Sequence, residues 1–266
     1  MLQAQAIMTN SQLLASLVKL TKEAGDVILQ IYHSDDFKVQ SKADQSPVTA
    51  ADLAAHHYIM AGLKTLTPSI PVVSEEDISS LSIAQENSCY WLIDPLDGTK
   101  EFISKNGEFT VNLALIEKNK PSFGLVGVPV TNMVYWGGKT LGAFKQTQNG
   151  SNPINPIQCS TPQNPLRILA SKSHLNEATK SLIKSLGPST LIQAGSSLKF
   201  IRIAEGLADY YPRLAPTCEW DTGAAQAVLE GAGGSVKQAS GENMIYGKGD
   251  ILNPHFIARG KVLHHP

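Results

Sequence analysis

The chain has 266 residues, of which 42% are hydrophobic and 17% charged, so we expect an ordinary globular protein of one large domain or two closely joined ones. The formal net charge of -1 excludes a global positive field that would attract nucleic acid. The three cysteines are widely spaced and form no Cys-x-x-Cys pair, which excludes a disulfide framework and a thiolate zinc site.

The sequence favours a soluble, cytoplasmic protein. Residues 1–10 contain no lysine or arginine and no apolar core, so we predict no signal peptide. The apolar stretches are too short to cross a bilayer. Loose attachment to the cytoplasmic side of the inner membrane, through a partner, stays open.

The first third of the chain alternates helical and strand patterns. Apolar residues at helical spacing predict an amphipathic helix over residues 11–32, with Ser11 as its N-cap. A second helix is predicted over residues 50–66. Short apolar runs at residues 71–74 and 90–93 predict buried strands that lead into acidic residues.

The rest of the chain changes character twice. Alternating apolar residues between Gly and Asn turns predict antiparallel strands over residues 109–144. Residues 146–165, rich in Asn, Gln, Ser and Pro, are typical of a surface connection. Beyond it the pattern predicts strands over residues 167–170 and 190–194 and helices over residues 175–186, 197–205 and 221–230. We therefore expect an N-terminal α+β half over residues 1–160 with most acidic ligands, and a C-terminal α/β half over residues 161–266 that completes the site.

Carboxylates cluster in four short segments at predicted strand ends or helix starts. The segments are residues 47–52, 73–77, 94–99 and 220–225. Acids converging on one cleft repel each other unless cations hold them. Oxygen-only ligands of this kind suit Mg²⁺ rather than zinc or copper.

The segment 94–99 is the most informative of the four. Asp94 and Asp97 flank Leu96, whose carbonyl offers a further hard oxygen ligand. Gly98 allows close backbone approach, so that its amide and that of Thr99 can hold a phosphate. Taken alone, such a segment is also typical of a helix N-terminus capped by acids. The other acidic segments favour the metal site.

Two of these segments resemble family signatures. Residues 91–99, Trp-Leu-Ile-Asp-Pro-Leu-Asp-Gly-Thr, resemble the first signature of the inositol monophosphatase superfamily, and residues 220–225, Trp-Asp-Thr-Gly-Ala-Ala, resemble its second. The resemblance spans the chain from about residue 11 to residue 260. It implies an α/β fold, namely the five-layer αβαβα sandwich of the inositol monophosphatase and fructose-1,6-bisphosphatase type.

Further segments are similar to one branch of that superfamily, the bacterial 3'(2'),5'-bisphosphate nucleotidases. They are residues 100–103, 106–112, 195–200 and 211–213. The resemblance implies an Mg²⁺-dependent phosphomonoesterase that removes the 3'-phosphate of adenosine 3',5'-bisphosphate and leaves AMP. Such an enzyme recycles a by-product of sulfate assimilation.

The resemblance also implies roles for single residues. The implied ligands of two or three Mg²⁺ ions are Glu75, Asp94, the Leu96 carbonyl, Asp97 and Asp221. Thr99 is expected to hold the attacking water, with Asp52 accepting from the threonine hydroxyl. The alternative for Asp52 is a helix-terminal acid without chemistry, with Thr49 as N-cap. Glu76 is expected to orient Glu75 or a metal-bound water, or else to face solvent.

Basic residues are expected at the phosphate that is not cleaved. Ser196, Lys199 and Arg213 are its candidates, because arginine offers bidentate geometry and lysine a point charge. His174 is a candidate for stacking on adenine, and a loop or capping histidine is its alternative. For Lys199 the alternative is a solvated helix face. The other residues expected to bind substrate are Glu75, Leu96, Asp97, Gly98, Thr99 and Asp221.

Two other functions compete with the nucleotidase. An inositol or sugar monophosphatase would share the metal site, since fold alone does not fix the substrate. A non-catalytic RNA- or polymerase-associated factor is disfavoured by the net charge and by the lack of a basic, aromatic-rich run. The expected partner is therefore a small phosphorylated nucleotide and not a nucleic acid, with monomer or homodimer left open.

Overall fold

The computed structural model describes residues 3–34, 40–41, 47–147, 154–170 and 176–261. The helices are α1 Gln3–Thr9, α2 Ser11–Tyr32, α3 Ala50–Leu66, α4 Leu81–Glu86, α5 Thr99–Ile103, α6 Glu177–Ser185, α7 Leu198–Ala204 and α8 Gly223–Gly231. The strands are β1 Gln40–Ser41, β2 Pro47–Val48, β3 Val72–Ser74, β4 Cys89–Asp97, β5 Thr110–Glu117, β6 Lys120–Val128, β7 Met133–Gly138, β8 Gly142–Thr147, β9 Asn155–Pro156, β10 Leu166–Ala170, β11 Ser189–Gln193, β12 Tyr210–Arg213, β13 Ser235–Gln238 and β14 Phe256–Arg259.

Helices α2 and α3 have the predicted bounds, but the N-cap of α2 is not Ser11. Asn10 is the cap, since its side chain accepts from the Leu13 amide at 3.1 Å and its backbone is extended (φ -94°, ψ 92°). Ser11 is already inside the helix. The two cap candidates are adjacent in sequence, and only the backbone conformation distinguishes them.

The first sheet has seven strands in the order β3-β4-β5-β6-β7-β8-β9. Only the edge pair β3–β4 is parallel among its described ladders. Side chains alternate across β4: Trp91 and Ile93 pack into the core beneath α2 and α3, whereas Leu92 packs into the core on the opposite face. This sheet is therefore buried on both faces.

The second sheet has five strands in the order β11-β10-β12-β14-β13, and α7 and α8 pack between the two sheets. Helix α8 lies close to β6 because Gly124 carries no side chain: a Cβ there would be 2.1 Å from the Ala224 carbonyl oxygen. Helix α6 connects the parallel strands β10 and β11. The layers follow one another in the order helices α2 and α3, seven-stranded sheet, helices α7 and α8, five-stranded sheet and helix α6. This is the expected five-layer αβαβα sandwich.

Three helices differ from the sequence expectations. Helix α1 was not predicted; the Glu117 carboxylate, distant in sequence, accepts from the amides of Gln3 and Ala4 at 2.8 and 3.3 Å. Helix α6 begins at Glu177 rather than at residue 175, which lies outside the described residues. Helix α8 begins at Gly223 rather than Asp221, because Asp221 belongs to a preceding turn.

The division into halves stays a prediction. The two sheets fall on either side of residue 160, but one core cluster contains buried residues of both, from Val73 to Ala258. Within the described ranges, no helix has the length and apolarity needed to span a membrane.

Candidate active site

The parallel pair β3–β4 brings the first two acids together. Ser74 of β3 pairs with Ile93 of β4, and the Glu75 amide donates to the Ile93 carbonyl at 3.2 Å. Because parallel strands end at the same edge of a sheet, Glu75 lies beside Asp94, the residue that follows Ile93.

A β-bulge shapes the end of β4. Asp94 pairs with Asn112 of β5, and pairing resumes at Asp97 with Thr110, so β4 advances three residues while β5 advances two. The Leu96 amide donates to Asp94 Oδ1 at 3.1 Å inside the bulge. The extra residue in β4 changes the direction of the Asp94 and Asp97 side chains at the point where the ladder is disrupted.

The third acid comes from the C-terminal half. Asp221 lies in the turn before α8, where its Oδ2 accepts from the Cys218 amide at 2.8 Å and its own amide donates to the Cys218 carbonyl at 3.2 Å. These two bonds hold the carboxylate against its own turn.

Three carboxylates meet where these segments converge. Glu75, Asp94 and Asp221 each offer an oxygen, and these oxygens lie within 4.8 Å of one another. Burial raises the pKa of both Asp94 and Asp221, and the carboxylates of Glu75 and Asp97 raise them further. A cation between the oxygens would offset both effects, so the donor set fits a hard divalent metal.

Asp97 lies beside this cluster rather than within it. Its Oδ2 accepts from the Ser197 amide at 2.6 Å, with the side chains of Thr110 and Asn112 each at 3.4 Å. Burial raises the pKa of Asp97 to about 6, although the Lys199 charge and the Ser197 amide both lower it.

The residues around Asp97 were missed by the sequence analysis. The Ser197 hydroxyl lies 2.9 Å from Asn112 Oδ1 and 2.8 Å from the Thr110 hydroxyl. Thr110 and Asn112 are two residues apart on β5, so their side chains lie on the same face of the sheet. Both residues pair with the acidic end of β4. That period-two pattern of polar residues in an otherwise apolar strand is the signal that could have identified them.

Thr99 and Asp52 are in direct contact. The Thr99 hydroxyl donates to Asp52 Oδ1 at 3.1 Å and lies 3.5 Å from the Leu96 carbonyl. Asp52 Oδ2 accepts from the amide and hydroxyl of Thr49 at 2.8 and 2.6 Å, which forms a capping box at the start of α3. Asp52 is therefore a helix-terminal acid that caps α3 with one oxygen and contacts Thr99 with the other, so its capping position does not exclude the role in proton transfer.

Two glycines allow the α7 segment to approach the turn that follows β4. Gly98 has φ +96°, and a Cβ there would lie 3.3 Å from Ser196 Cβ. The Gly195 amide donates to Glu108 Oε2 at 2.9 Å, and a Cβ at Gly195 would lie 2.9 Å from the Glu108 carbonyl oxygen. Ser196 is thereby held against Gly98.

Lys199 does not lie on a solvated helix face, so that alternative is wrong. It is 6% exposed, and its ammonium donates to the carbonyls of Ala194 and Ser196 at 3.4 and 2.5 Å. The ammonium also lies 5.4 Å from the centre of the Tyr211 ring. Burial lowers its pKa to about 8.

Arg213, at the end of β12, is fixed by backbone carbonyls. Its Nε donates to Ala215 at 3.2 Å and its Nη2 to Pro216 at 2.9 Å. These bonds set the plane of the guanidinium beside the carboxylate cluster.

One cavity of about 270 Å³ contains most of these groups. The predicted residues that line it are Glu75, Asp97, Gly98, Thr99, Ser196, Lys199, Arg213 and Asp221. Asp52 and Asp94 are each 1% exposed. Glu76 is half-buried. His174 lies outside the described residues.

Residues 9–265 match the model of the inositol monophosphatase family, and the chain belongs to this family. It is 45% identical over 246 residues to the 3'(2'),5'-bisphosphate nucleotidase CysQ of Escherichia coli (strain K12), with 92% of this chain and 98% of the relative covered. It is 32% identical to the protein of that name from Haemophilus influenzae, with 94% of each covered.

Solved structures agree in fold. CysQ from Bacteroides thetaiotaomicron, a bacterial member of the same family, superposes with a TM-score of 0.82 at 38% identity and covers 95% of this chain and 98% of its own. An IMPase from Thermotoga maritima has a TM-score of 0.76 at 23% identity, covering 94% and 93%, and shows the fold alone.

Proposed function

We propose that this chain is a 3'(2'),5'-bisphosphate nucleotidase that converts adenosine 3',5'-bisphosphate to AMP and phosphate. The observation that carries the proposal is the mixed charge of the cavity, which is lined by Glu75, Asp97 and Asp221 and also by Lys199 and Arg213. A substrate with two phosphates needs an anion site besides its metal site. Relatives that are 45% identical to this chain over 246 residues are named 3'(2'),5'-bisphosphate nucleotidases.

Glu75, Asp94, the Leu96 carbonyl, Asp97 and Asp221 are the proposed ligands of two or three Mg²⁺ ions. The raised pKa values of Asp94 and Asp221 support this assignment, because crowded, buried carboxylates favour a bound cation over mutual repulsion. Bound Mg²⁺ would neutralise charge on the phosphate oxygens and lower the pKa of a coordinated water.

Thr99 and Asp52 move the proton of the attacking water. Water attacks the 3'-phosphorus as the bond to ribose O3' breaks. The proton that the water releases passes through the Thr99 hydroxyl to Asp52 and from there to solvent, and the departing O3' takes up a proton from solvent to become the ribose hydroxyl. The 3.1 Å contact between Thr99 Oγ1 and Asp52 Oδ1 supports this role. Thr49 holds the other oxygen of Asp52, which keeps Oδ1 aimed at Thr99.

Lys199, Arg213 and Ser196 bind the retained 5'-phosphate. Lys199 is buried and already bonded to two carbonyls, so it contributes a fixed positive charge. Arg213 donates from Nε and Nη2 to backbone carbonyls, which fixes the guanidinium at the cavity wall, where it can bind phosphate oxygens. His174 is proposed to stack on the adenine.

A phosphate-release panel tests the proposal. Adenosine 3',5'-bisphosphate, its sulfated analogue, inositol 1-phosphate and fructose 1,6-bisphosphate are compared at equal Mg²⁺ concentration. We expect the highest kcat/KM for the adenosine bisphosphate. A higher kcat/KM for inositol 1-phosphate would instead make the chain an inositol phosphatase.

A further inference from the structure

A short segment after α8 runs along the turn that carries Asp221. The Glu219 amide donates to the Ile251 carbonyl at 3.0 Å, and the Asn253 amide donates to the Thr217 carbonyl at 2.8 Å. Between them, Cys218 and Leu252 form an antiparallel bridge. Residues 251–253 therefore hold the first half of the turn by its backbone.

The Asn253 side chain ties the two ends of this turn together. Asn253 is 9% exposed, and its Nδ2 lies 2.6 Å from the Cys218 carbonyl, 3.0 Å from the Thr222 hydroxyl and 3.2 Å from the Thr217 hydroxyl. A carbonyl only accepts, so the amide nitrogen must face Cys218. The backbone N–H of the same residue, Cys218, donates to Asp221 Oδ2 at 2.8 Å.

Buried side chains continue the connection into α8. The hydroxyls of Thr222 and Tyr246 are 3.0 Å apart, Tyr246 donates to Gln226 Oε1 at 2.7 Å, and Gln226 Nε2 donates to Glu230 Oε1 at 2.9 Å. The Thr222 hydroxyl also lies 3.1 Å from the Glu219 carbonyl, so its contacts join the turn, the Asn253 side chain and Tyr246. Tyr246 is fully buried and Gln226 is 4% exposed.

We propose that Asn253 and Tyr246 are positioning residues for the metal site, which act through the 217–222 turn on the orientation of Asp221. The proposal rests on the proposed function, since it takes Asp221 as an Mg²⁺ ligand. Neither residue is among the described residues that line the cavity or form the carboxylate cluster. Their effect on Asp221 is therefore indirect: Asn253 restrains Cys218, whose amide holds the Asp221 carboxylate, and Tyr246 restrains Thr222, the residue next to Asp221.

Direct Mg²⁺ titration by calorimetry tests this proposal on the full-length, metal-free protein. Asn253→Leu keeps the side-chain size but removes the hydrogen-bond donor. We expect it to raise the Mg²⁺ Kd about tenfold or more, as does the loss of a residue that orients a metal ligand. Tyr246→Phe removes one oxygen and should raise Kd severalfold, so it carries the test if Asn253→Leu fails to fold. Asn243→Leu makes the same chemical change at an exposed site outside the turn and should leave Kd unchanged.

Kinetics separate positioning from general structural damage. For both variants, activity at saturating Mg²⁺ should return towards wild type, with the KM for the nucleotide unchanged. Folded variants that bind Mg²⁺ as tightly as the wild type would overturn the positioning roles. A wild-type protein that binds no Mg²⁺ would instead overturn the proposed metal site itself, so the two failures are distinguishable.

Discussion

Backbone amides hold the aspartates of the site. Asp52, Asp94, Asp97 and Asp221 each accept a hydrogen bond from a backbone N–H group. Such bonds fix the direction of a carboxylate without neutralising it, as a salt bridge to arginine or lysine would. The amides therefore orient these oxygens for a divalent cation, whose charge would offset the burial and repulsion that raise the pKa of Asp94 and Asp221.

Removing the Thr99 hydroxyl or the Asp52 charge tests the proton path. Thr99→Ala and Asp52→Asn should each lower kcat by about 10²–10⁴-fold with little change in KM, because accepting the proton of the water stabilises the transition state and not the bound substrate. The double variant should lose little more than either single one, since the two groups act as a unit.

The capping role of Asp52 provides the control for this comparison. Asp52→Asn also weakens the capping box with Thr49, so it should lower thermal stability, whereas Thr99→Ala should lower it less. Losses in kcat that multiply in the double variant would mean that the two residues do separate jobs.

The buried Lys199 predicts a particular pH dependence of stability. Burial lowers its pKa to about 8 from an ordinary value of 10.5, and the Arg213 charge lowers it too, while the carboxylate of Asp97 opposes the shift. Between these two values the unfolded chain binds more protons at this position than the folded chain. This group's contribution to the free energy of unfolding therefore rises with pH across that window.

Lys199→Met removes this titration. Urea unfolding at about pH 7 and about pH 10 should show the wild type gaining stability relative to Lys199→Met as the pH rises. Lys120→Met, at an exposed position, should show no such change. Parallel pH curves for wild type and Lys199→Met would contradict the lowered pKa.

Arg213 distinguishes a nucleotidase from a simpler phosphatase. Removing a charged hydrogen-bond donor costs roughly 1.5–3 kcal/mol, or about ten- to a hundredfold in kcat/KM. Arg213→Ala should reduce kcat/KM by that order on adenosine 3',5'-bisphosphate but little on adenosine 3'-monophosphate, which lacks the retained group. Equal losses on both substrates would assign Arg213 to the fold or to the scissile phosphate.

At the scale of elements, local pattern predicted most helices and strands but not their ends at the site. The 50–66 helix has the predicted bounds because Thr67 and Pro68 end it with strong local signals. Strand β4 was predicted only over residues 90–93, yet it continues through the Asp94–Asp97 bulge, since pairing with β5 resumes there. A resumed ladder depends on the partner strand and leaves no local sequence signal.

The close packing of α8 against β6 depends on one glycine. Gly124→Ala would place Cβ 2.1 Å from the Ala224 carbonyl oxygen, so the helix must shift. We expect a loss of about 1–3 kcal/mol in the free energy of unfolding, measured by urea denaturation. Because α8 follows directly on Asp221, the Mg²⁺ concentration for half-maximal activity should rise as well.

Gly249→Ala is the matched control, because a Cβ there would meet nothing within 4 Å. It should leave both stability and the Mg²⁺ requirement near wild type. A Gly124→Ala protein as stable as this control would show that α8 does not depend on the close approach.

At the scale of the whole molecule, both halves supply the site. Glu75 and Asp94 come from the first sheet, whereas Ser197 and Asp221 come from the segments before α7 and α8. Motif spacing and the family resemblance identified the acids in advance. They did not identify Ser197, which bonds to Asp97, or Asn253, the proposed positioning residue, since each makes its hydrogen bonds to residues far away in sequence.

Product identification is the most direct test of the proposed reaction. Adenosine 3',5'-bisphosphate is incubated with the protein and Mg²⁺, and the nucleotide product is separated from both adenosine monophosphate isomers by chromatography. We expect adenosine 5'-monophosphate and one equivalent of phosphate, with no product in excess chelator or with Asp94→Asn, whose amide is a weaker ligand for a hard cation. Adenosine 3'-monophosphate as the product, or an undiminished rate in chelator, would contradict an Mg²⁺-dependent 3'-nucleotidase.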